Sequence, residues 1–459
     1  MVFLLHAAGA QNGDSTMRLH AQAALLPTGW ARDVRIDLAG GRITAVTPGV
    51  APGTGDRRVE ALVPGMPNLH SHSFQRGFAG LTEFRGPAQD SFWTWREVMY
   101  RFALQLDPEG VEAVAALACA EMLEAGYTRL GEFHYLHHDP EGRPYADPAE
   151  LSLRVFSAAE ATGIALTHLP VFYAHGGIGG APATEGQRRF LHDLDGFERL
   201  MAACAARLSR PQDRLGLAPH SLRGATLDEI RRLAATWPGR PFHIHVAEQV
   251  KEVEDCLAHA GVRPVELLLD QAPVGPDWCL IHATHLTGSE VAGVLRSGAV
   301  AGLCPVTEAN LGDGTFPAAE FLSRGGAFGV GTDSNVAISV AEELRMLEYS
   351  QRLAHRGRNI CAETGSTGMA LFGAALRGGA QALGAPVPEL AAGAPTDLVA
   401  LADPLALDHP ESLIDRWIFG RGIRVASVWA AGSLVVEQGR HRDRDRIESA
   451  AARVLRRLL

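Results

Sequence analysis

The chain has 459 residues, 46% hydrophobic and 20% charged, the balance of a folded globular protein rather than a disordered one. Its 42 Lys and Arg against 52 Asp and Glu give a net charge of −10, which excludes any overall attraction for nucleic acid or an anionic membrane and leaves anion binding to local arginines. No apolar run approaches the roughly 18 residues of a membrane span, and the six cysteines (Cys119, Cys204, Cys256, Cys279, Cys304, Cys361) lack CxxC spacing and read as reduced, buried thiols.

Taken in chain order, Met1–Gln11 only faintly imitates a secretory leader, because no basic residue precedes the short run Val2–Leu5. Residues 1–16 read as an unstructured extension, Met17 as an alternative start, and a cytoplasmic protein is expected. Residues 17–63 and 391–440 share one grammar. Short β-like runs (Arg35–Leu38, Arg42–Val46, Asp397–Leu401, Val425–Trp429) are separated by hairpin signals at Gly40-Gly41 and Ala431-Gly432-Ser433. The two ends are expected to pair into one small β-sandwich domain.

Residues 64–390 alternate instead. Strands are expected near Val63–His72, Thr128–Tyr135, Ile164–Tyr173, Leu215–Ser221, Phe242–Glu248, Cys279–His285, Val300–Cys304 and Phe328–Asp333. Helices are expected over Val111–Ala125, Gln187–Leu208, Leu227–Thr236, Gln249–Ala260 and Ala341–Ala354, and a final helix over 441–459. Eight strands alternating with helices predict an α/β protein built on a closed (β/α)8 TIM-like barrel.

Chemistry concentrates at the predicted strand ends. The segment Pro64-Gly-Met-Pro-Asn-Leu-His70-Ser-His72 ends in an HxH pair, and period-two alternation puts both imidazoles on one face, where they suit a divalent metal. His243-Ile-His245-Val-Ala-Glu248 closes the fifth strand, His282 lies on the sixth and Gly331-Thr-Asp333 closes the eighth. In a barrel, catalytic groups come from the C-terminal ends of several strands. A buried His or Asp inside an apolar run costs free energy unless it is paired or ligated. Satisfied core histidines would account for one such position, but poorly for five. His243 and His245 share a strand face, so spacing does not choose between them as a ligand; nearness to Glu248 and the strand end favours His245.

The order HxH, His, His, Asp resembles the amidohydrolase superfamily, and Glu248, three residues after His245, resembles its one-metal deaminase branch. The text is similar to the formimidoylglutamate deiminase family in Asn68-Leu-His-Ser-His-Ser-Phe-Gln-Arg-Gly, Leu81-Thr-Glu, Trp93-Thr-Trp-Arg96-Glu, Gly131-Glu-Phe-His-Tyr135-Leu-His-His, Ala218-Pro-His220-Ser-Leu-Arg223, His243-Ile-His-Val-Ala-Glu-Gln and Cys304-Pro-Val-Thr-Glu-Ala-Asn-Leu-Gly-Asp-Gly. The resemblance covers nearly all the chain after about residue 17.

It implies His70, His72, His245 and Asp333 as ligands of one divalent ion, zinc or iron. It implies Glu248 and His282 as proton handlers, with Asp333 also catalytic, and Gln75, Arg96, Tyr135, His220 and Arg223 as substrate contacts. The reaction it implies is hydrolytic deamination of N-formimino-L-glutamate to N-formyl-L-glutamate and ammonia, a step of histidine degradation, in a homodimer. A dicarboxylate substrate suits Arg96 and Arg223, since guanidinium binds carboxylate bidentately; Gln75 and Tyr135 are expected as neutral donors. No lysine stands at the fourth strand end, Ala218-Pro-His220, to form a bridging carbamate. One departure is visible: Ser334-Asn335 stands where the family leads one to expect Ser-His. The rival readings are a deaminase of a nucleobase-like heterocycle, an enzyme for another N-formimino amino acid, and a catalytically dead barrel kept for binding. The presence of all six ligand and acid–base positions argues against the last.

Overall fold

The computed structural model describes residues 16–85, 90–405 and 409–458, so the expected N-terminal extension lies, Thr16 apart, outside the described residues. The chain begins with strands β1 (Met17–Leu26), β2 (Gly29–Ala39), β3 (Arg42–Thr47) and β4 (Arg57–Pro64). It continues with β5 (Met66–Ser71), β6 (Tyr127–His134), β7 (Ala165–Phe172), β8 (Arg214–Leu215), β9 (Ala218–Pro219), β10 (Phe242–Val246), β11 (Trp278–His282), β12 (Val300–Leu303) and β13 (Phe328–Val330). It returns through β14 (Leu398–Ala402), β15 (Arg424–Ala430), β16 (Ser433–Glu437) and β17 (Arg440–His441).

The two chain ends build one eight-stranded sheet in the order β17-β16-β15-β14-β4-β1-β2-β3. In β2, Val34, Ile36 and Leu38 are buried while Arg35 and Asp37 point away, the alternation of a sheet with one dry face. Gly40-Gly41 and Ala431-Gly432 are two-residue hairpin loops with positive φ throughout (56°, 73°, 47° and 85°), the geometry that matches strand twist. The sheet curls. Its edge strand β3 bonds the segment before β14, with Ile43 N donating to Ala394 O (2.9 Å) and Gly393 N to Ile43 O (2.7 Å). Leu19, Val34, Ile36, Ile43, Leu62, Leu398 and Trp429 fill the enclosed space as a core of their own.

The middle of the chain is parallel. One sheet runs β5-β6-β7-β8, with β9 also on β7, and a second runs β10-β11-β12-β13. Every residue of β5, β6, β7, β10 and β11 is buried, as strands covered on both faces require. Parallel bridges Leu217↔Phe242 and Ser221↔His245 link the two sheets on one side, and Ser71↔Asp333 links them on the other. Helices alternate with these strands, and many carry the N-caps that their sequences announce: Asp107, Asp193, Thr226, Thr287, Ser339 and Ser366 each accept a backbone N–H.

Two boundaries differ from expectation. The stretch Gln187–Leu208 is not one helix. A short 3-10 turn ends at Gln187, and the helix Leu194–Arg207 starts only where Asp193 accepts from Gly196 N (2.6 Å). The fourth strand is broken into β8 and β9 at Gly216, which lies so close to Pro241 O that a Cβ there would come within 2.5 Å.

Helix Thr367–Ala382 closes over β5 and β13 through glycines. A Cβ at Gly378 would lie 1.9 Å from Phe328 O. Gly378→Ala is therefore expected to destabilise the fold by about 1–3 kcal/mol, as overpacking does. An unchanged urea midpoint would show that the helix can stand off. The last helix, Arg444–Leu458, packs Ile447 and Ala451 on Ala115, Ala120 and Ala158. All six cysteines are free and buried. No helix among the described residues is long and apolar enough to cross a membrane.

Candidate active site

The predicted polar residues meet at the C-terminal ends of the parallel strands. His70 is the next-to-last residue of β5 and His72 directly follows the strand; His245 lies on β10, His282 ends β11 and Asp333 follows β13. One ligand atom from each of His70, His72, His245 and Asp333 lies within 4.8 Å of the others. His72 Nε2 is 3.2 Å and His70 Nε2 3.4 Å from Asp333 Oδ1, and His245 Nε2 is 3.1 Å from His70 Nε2.

The outer ring nitrogens set the chemistry of the inner ones. His72 Nδ1 donates to Phe133 O (2.9 Å) and His245 Nδ1 to His220 O (3.0 Å). Each donation fixes the proton on Nδ1 and leaves Nε2 a lone pair aimed at the cluster. Burial pushes the His70 pKa down to about 3 and also lowers those of His72 and His245, so all three are neutral. Burial alone would raise the Asp333 carboxyl, but its hydrogen bond to His70 and the imidazoles of His72, His70 and His282 hold it below the usual range. Three neutral imidazoles and one carboxylate in a buried cluster are a donor set for a divalent transition metal. His243, the alternative ligand, bonds Ala382 O at 2.7 Å and takes no part.

Beside the cluster, His282 Nε2 lies 3.9 Å from both Glu248 Oε1 and Asp333 Oδ2. Burial works to lower the His282 pKa, but Glu248, Glu308 and Asp333 outweigh it and raise the imidazole to about 10. Glu308 was not singled out from the sequence. Its Oε1 lies 3.2 Å from His282 Nδ1 and also accepts from Cys304 N (2.9 Å). Its visible signal is the Cys304-Pro-Val-Thr-Glu308 segment, where a first-turn acid looks like an ordinary helix start.

The strand ends hold unusual backbone. Ala247, His282, Ala283, Asp333 and Asn335 have φ of 50°, 66°, 47°, 42° and 56°, a sparsely populated region for residues with a Cβ. Asn335 explains how part of it is held. Its amide nitrogen reaches Ser71 Oγ (3.0 Å), His72 O (3.1 Å) and Asp333 O (3.0 Å), while its oxygen accepts from Thr332 Oγ1 (2.6 Å). Asn335 thus pins together the strand ends that carry His72 and Asp333.

A cavity of about 570 Å³, its open mouth included, rises above the cluster. Gln75, Arg96, Tyr135, His220, Arg223, His245, Glu248, His282 and Asp333 all line it, with His70 buried just behind. Arg223 Nη2 donates to Glu248 Oε2 (3.2 Å), while its Nε and Nη1 are buried with no partner among the described residues. Arg96 rests between the rings of Trp93 and Tyr100 (4.5 and 5.5 Å) and, among the described residues, makes no ion pair within 4 Å. Gln75 differs from the expected donor: its Nε2 is spent on Tyr135 OH (2.7 Å), and its buried Oε1 is the atom left open. Tyr173 and Phe190 also line the cavity and were not foreseen as site residues.

This fold and site define a metal-dependent hydrolase, and the chain belongs to the amidohydrolase family, whose model matches residues 61–435. Within that family it groups with the formimidoylglutamate deiminases. Residues 16–60 match the family described as formimidoylglutamate deiminase HutF, N-terminal domain. The chain is 51% identical over 449 residues to formimidoylglutamate deiminase of Pseudomonas aeruginosa, covering 96% of this chain and 99% of that protein. It is 28% identical to 5-methylthioadenosine/S-adenosylhomocysteine deaminase of Natronomonas pharaonis, over 92% of this chain and 93% of that one. An amidohydrolase structure from Brucella melitensis superposes with a TM-score of 0.94 at 54% identity, covering 96% and 99% of the two chains. An adenosine deaminase from Xanthomonas campestris with bound zinc shares the fold at a TM-score of 0.78 and 22% identity, with 96% and 98% covered. The chain is a hydrolase acting on a C–N bond.

Proposed function

We propose that this protein hydrolyses N-formimino-L-glutamate to N-formyl-L-glutamate and ammonia. The observation that carries the substrate is the pair of arginines over the cluster. Among the described residues Arg223 has two buried N–H groups with no partner and Arg96 has no counter-ion, and both are cationic donors that a dicarboxylate would satisfy. A heterocycle offers them no anion.

His70, His72, His245 and Asp333 would hold one divalent ion; zinc is our reading, and iron suits the same donors. When bound, the ion supplies Lewis acidity that brings the pKa of a coordinated water from about 15.7 to about 7. Asp333 faces His70 and His72 through Oδ1 and His282 through Oδ2, so it would help to hold the ion on the side of the two imidazoles and can exchange a proton on the side of His282. His282, anchored at Nδ1 by Glu308, holds its Nε2 between Asp333 and Glu248 and can pass a proton between them. Glu248 delivers a proton to the departing nitrogen. Water adds to the formimino carbon, the C–N bond to the terminal nitrogen breaks, and that nitrogen leaves as ammonia. Gln75 Oε1 accepts a substrate N–H, and His220 and Tyr135 line the same cavity.

The same reading includes a closed (β/α)8 barrel over residues 64–390, supported by bridges between the parallel sheets on both sides, and a β-sandwich formed by the curled sheet of the two ends. The test is ammonia release from N-formimino-L-glutamate, beside N-formimino-L-aspartate, cytosine, guanine and 5′-methylthioadenosine, with and without chelator. Chelator-sensitive release is expected from N-formimino-L-glutamate first of all. Turnover of a heterocycle alone would overturn the substrate.

A further inference from the structure

We propose that Tyr173 determines specificity by donating its hydroxyl hydrogen to a substrate carboxylate held at the Arg223 and Arg96 end of the cavity. This rests on the dicarboxylate reading above and adds a residue that the sequence did not single out.

Tyr173 directly follows β7, is only 4% exposed and lines the cavity. A phenol oxygen has one hydrogen to give and accepts from others. Gln187 Nε2 donates to Tyr173 OH at 2.6 Å. The orientation of that amide is dictated by its other end: Gln187 Oε1 accepts from Thr184 N (2.7 Å) and Thr184 Oγ1 (3.1 Å), the former a donor only. The amide nitrogen must therefore face Tyr173, and the phenol oxygen is an acceptor in that contact. Its own hydrogen points elsewhere, and no other described residue bonds the hydroxyl. The ring cannot swing away, being packed on His220 (4.5 Å) and Phe190 (5.7 Å).

Position separates this hydroxyl from that of Tyr135. The two phenols lie near each other and both lie near Tyr100, but the charged neighbours of Tyr173 are Arg223 and Arg96, whereas that of Tyr135 is Asp333. Tyr173 is thus the phenol beside the two guanidinium groups, and Tyr135 the one nearer Asp333. Burial pushes the Tyr173 pKa upward, so the phenol keeps its hydrogen. A neutral donor beside two guanidinium groups completes a carboxylate site without adding net charge. Gln187 is a positioning residue, acting only through Tyr173.

The experiment compares wild type, Tyr173→Phe and Gln187→Leu on N-formimino-L-glutamate, on 4-formimidamidobutanoate (no α-carboxylate) and on N-formimino-L-norvaline (no side-chain carboxylate). For the full substrate, Tyr173→Phe is expected to raise KM by about tenfold to a hundredfold, the range of a hydrogen bond to a charged group, with a smaller change in kcat. Gln187→Leu is expected to move KM in the same direction by less. The Tyr173→Phe effect should vanish on whichever truncated substrate lacks the contacted carboxylate, as a mutant cycle requires. Metal content equal to wild type shows that the variant is folded around its site. If wild type turns over the full substrate and Tyr173→Phe matches its KM, this proposal fails and the dicarboxylate reading stands. Equal losses on all three substrates would make Tyr173 structural and also overturn it. If wild type does not act on N-formimino-L-glutamate, both fall together.

Discussion

Glu248→Gln is expected to lower kcat by about 10²–10⁴-fold, the usual worth of a positioned acid–base group, with metal content unchanged. Glu248 stands outside the four-residue cluster, so its loss removes no ligand. Its two oxygens are unequally engaged. Oε2 accepts from Arg223 Nη2 at 3.2 Å, and Oε1 faces His282 Nε2 across 3.9 Å. Gln keeps the size and can turn its oxygen to Arg223, which puts an NH₂ group toward His282. That group can donate a hydrogen bond but cannot take up and release a proton. Geometry and anion binding survive while relay is lost, so kcat falls and KM moves little. Parallel metal analysis and steady-state kinetics decide. Near-wild-type turnover would remove Glu248 from the mechanism.

The site was legible because polarity at the strand ends breaks an apolar pattern. His70, His72, His282 and Asp333 each interrupt buried text, and burial without a partner is expensive, so their convergence could be read without coordinates. What remained hidden depends on contacts that spacing does not encode. His243 and His245 share a face by period two; nearness to Glu248 and the strand end favours His245, but the contact that occupies His243, Ala382 O, comes from far along the chain. Gln187 looked like the start of a helix; instead it sits in a 3-10 turn and spends its amide on Tyr173. Glu308 carries no site signal of its own in the sequence; its part follows from the contact with His282 Nδ1. The fold follows the same division. The hairpins at Gly40-Gly41 and Ala431-Gly432 are local, set by residues that take positive φ within the turn itself. The parallel pairing of β1 with β4, the antiparallel pairing of β14 with β4, and the break in the fourth strand at Gly216 are non-local.

His245→Ala is expected to lose bound metal and turnover together, by more than Glu248→Gln loses, while His243→Ala keeps both. The two histidines are a matched pair of controls, two residues apart on the same strand and both buried. His245 holds its proton on Nδ1 for His220 O, so its Nε2 lone pair lies 3.1 Å from His70 Nε2. A lone pair so placed is stabilised by a cation at the cluster and has no other donor of comparable strength. Its removal leaves three ligands, opens a buried void and frees the His220 carbonyl. The metal shifts the pKa of water by more than about 8 units, a larger effect than any single proton relay supplies, and this sets the order of the two losses. His243, by contrast, satisfies Ala382 O at 2.7 Å. Its removal strands a buried carbonyl at a cost of about 1–3 kcal/mol, which appears as a lower unfolding midpoint and not as lost metal. Equilibrium dialysis followed by elemental analysis, run beside the ammonia assay, distinguishes the two variants. Metal retained in His245→Ala and lost in His243→Ala would exchange their roles and place the ion deeper along β10 than the cluster of Nε2 atoms implies.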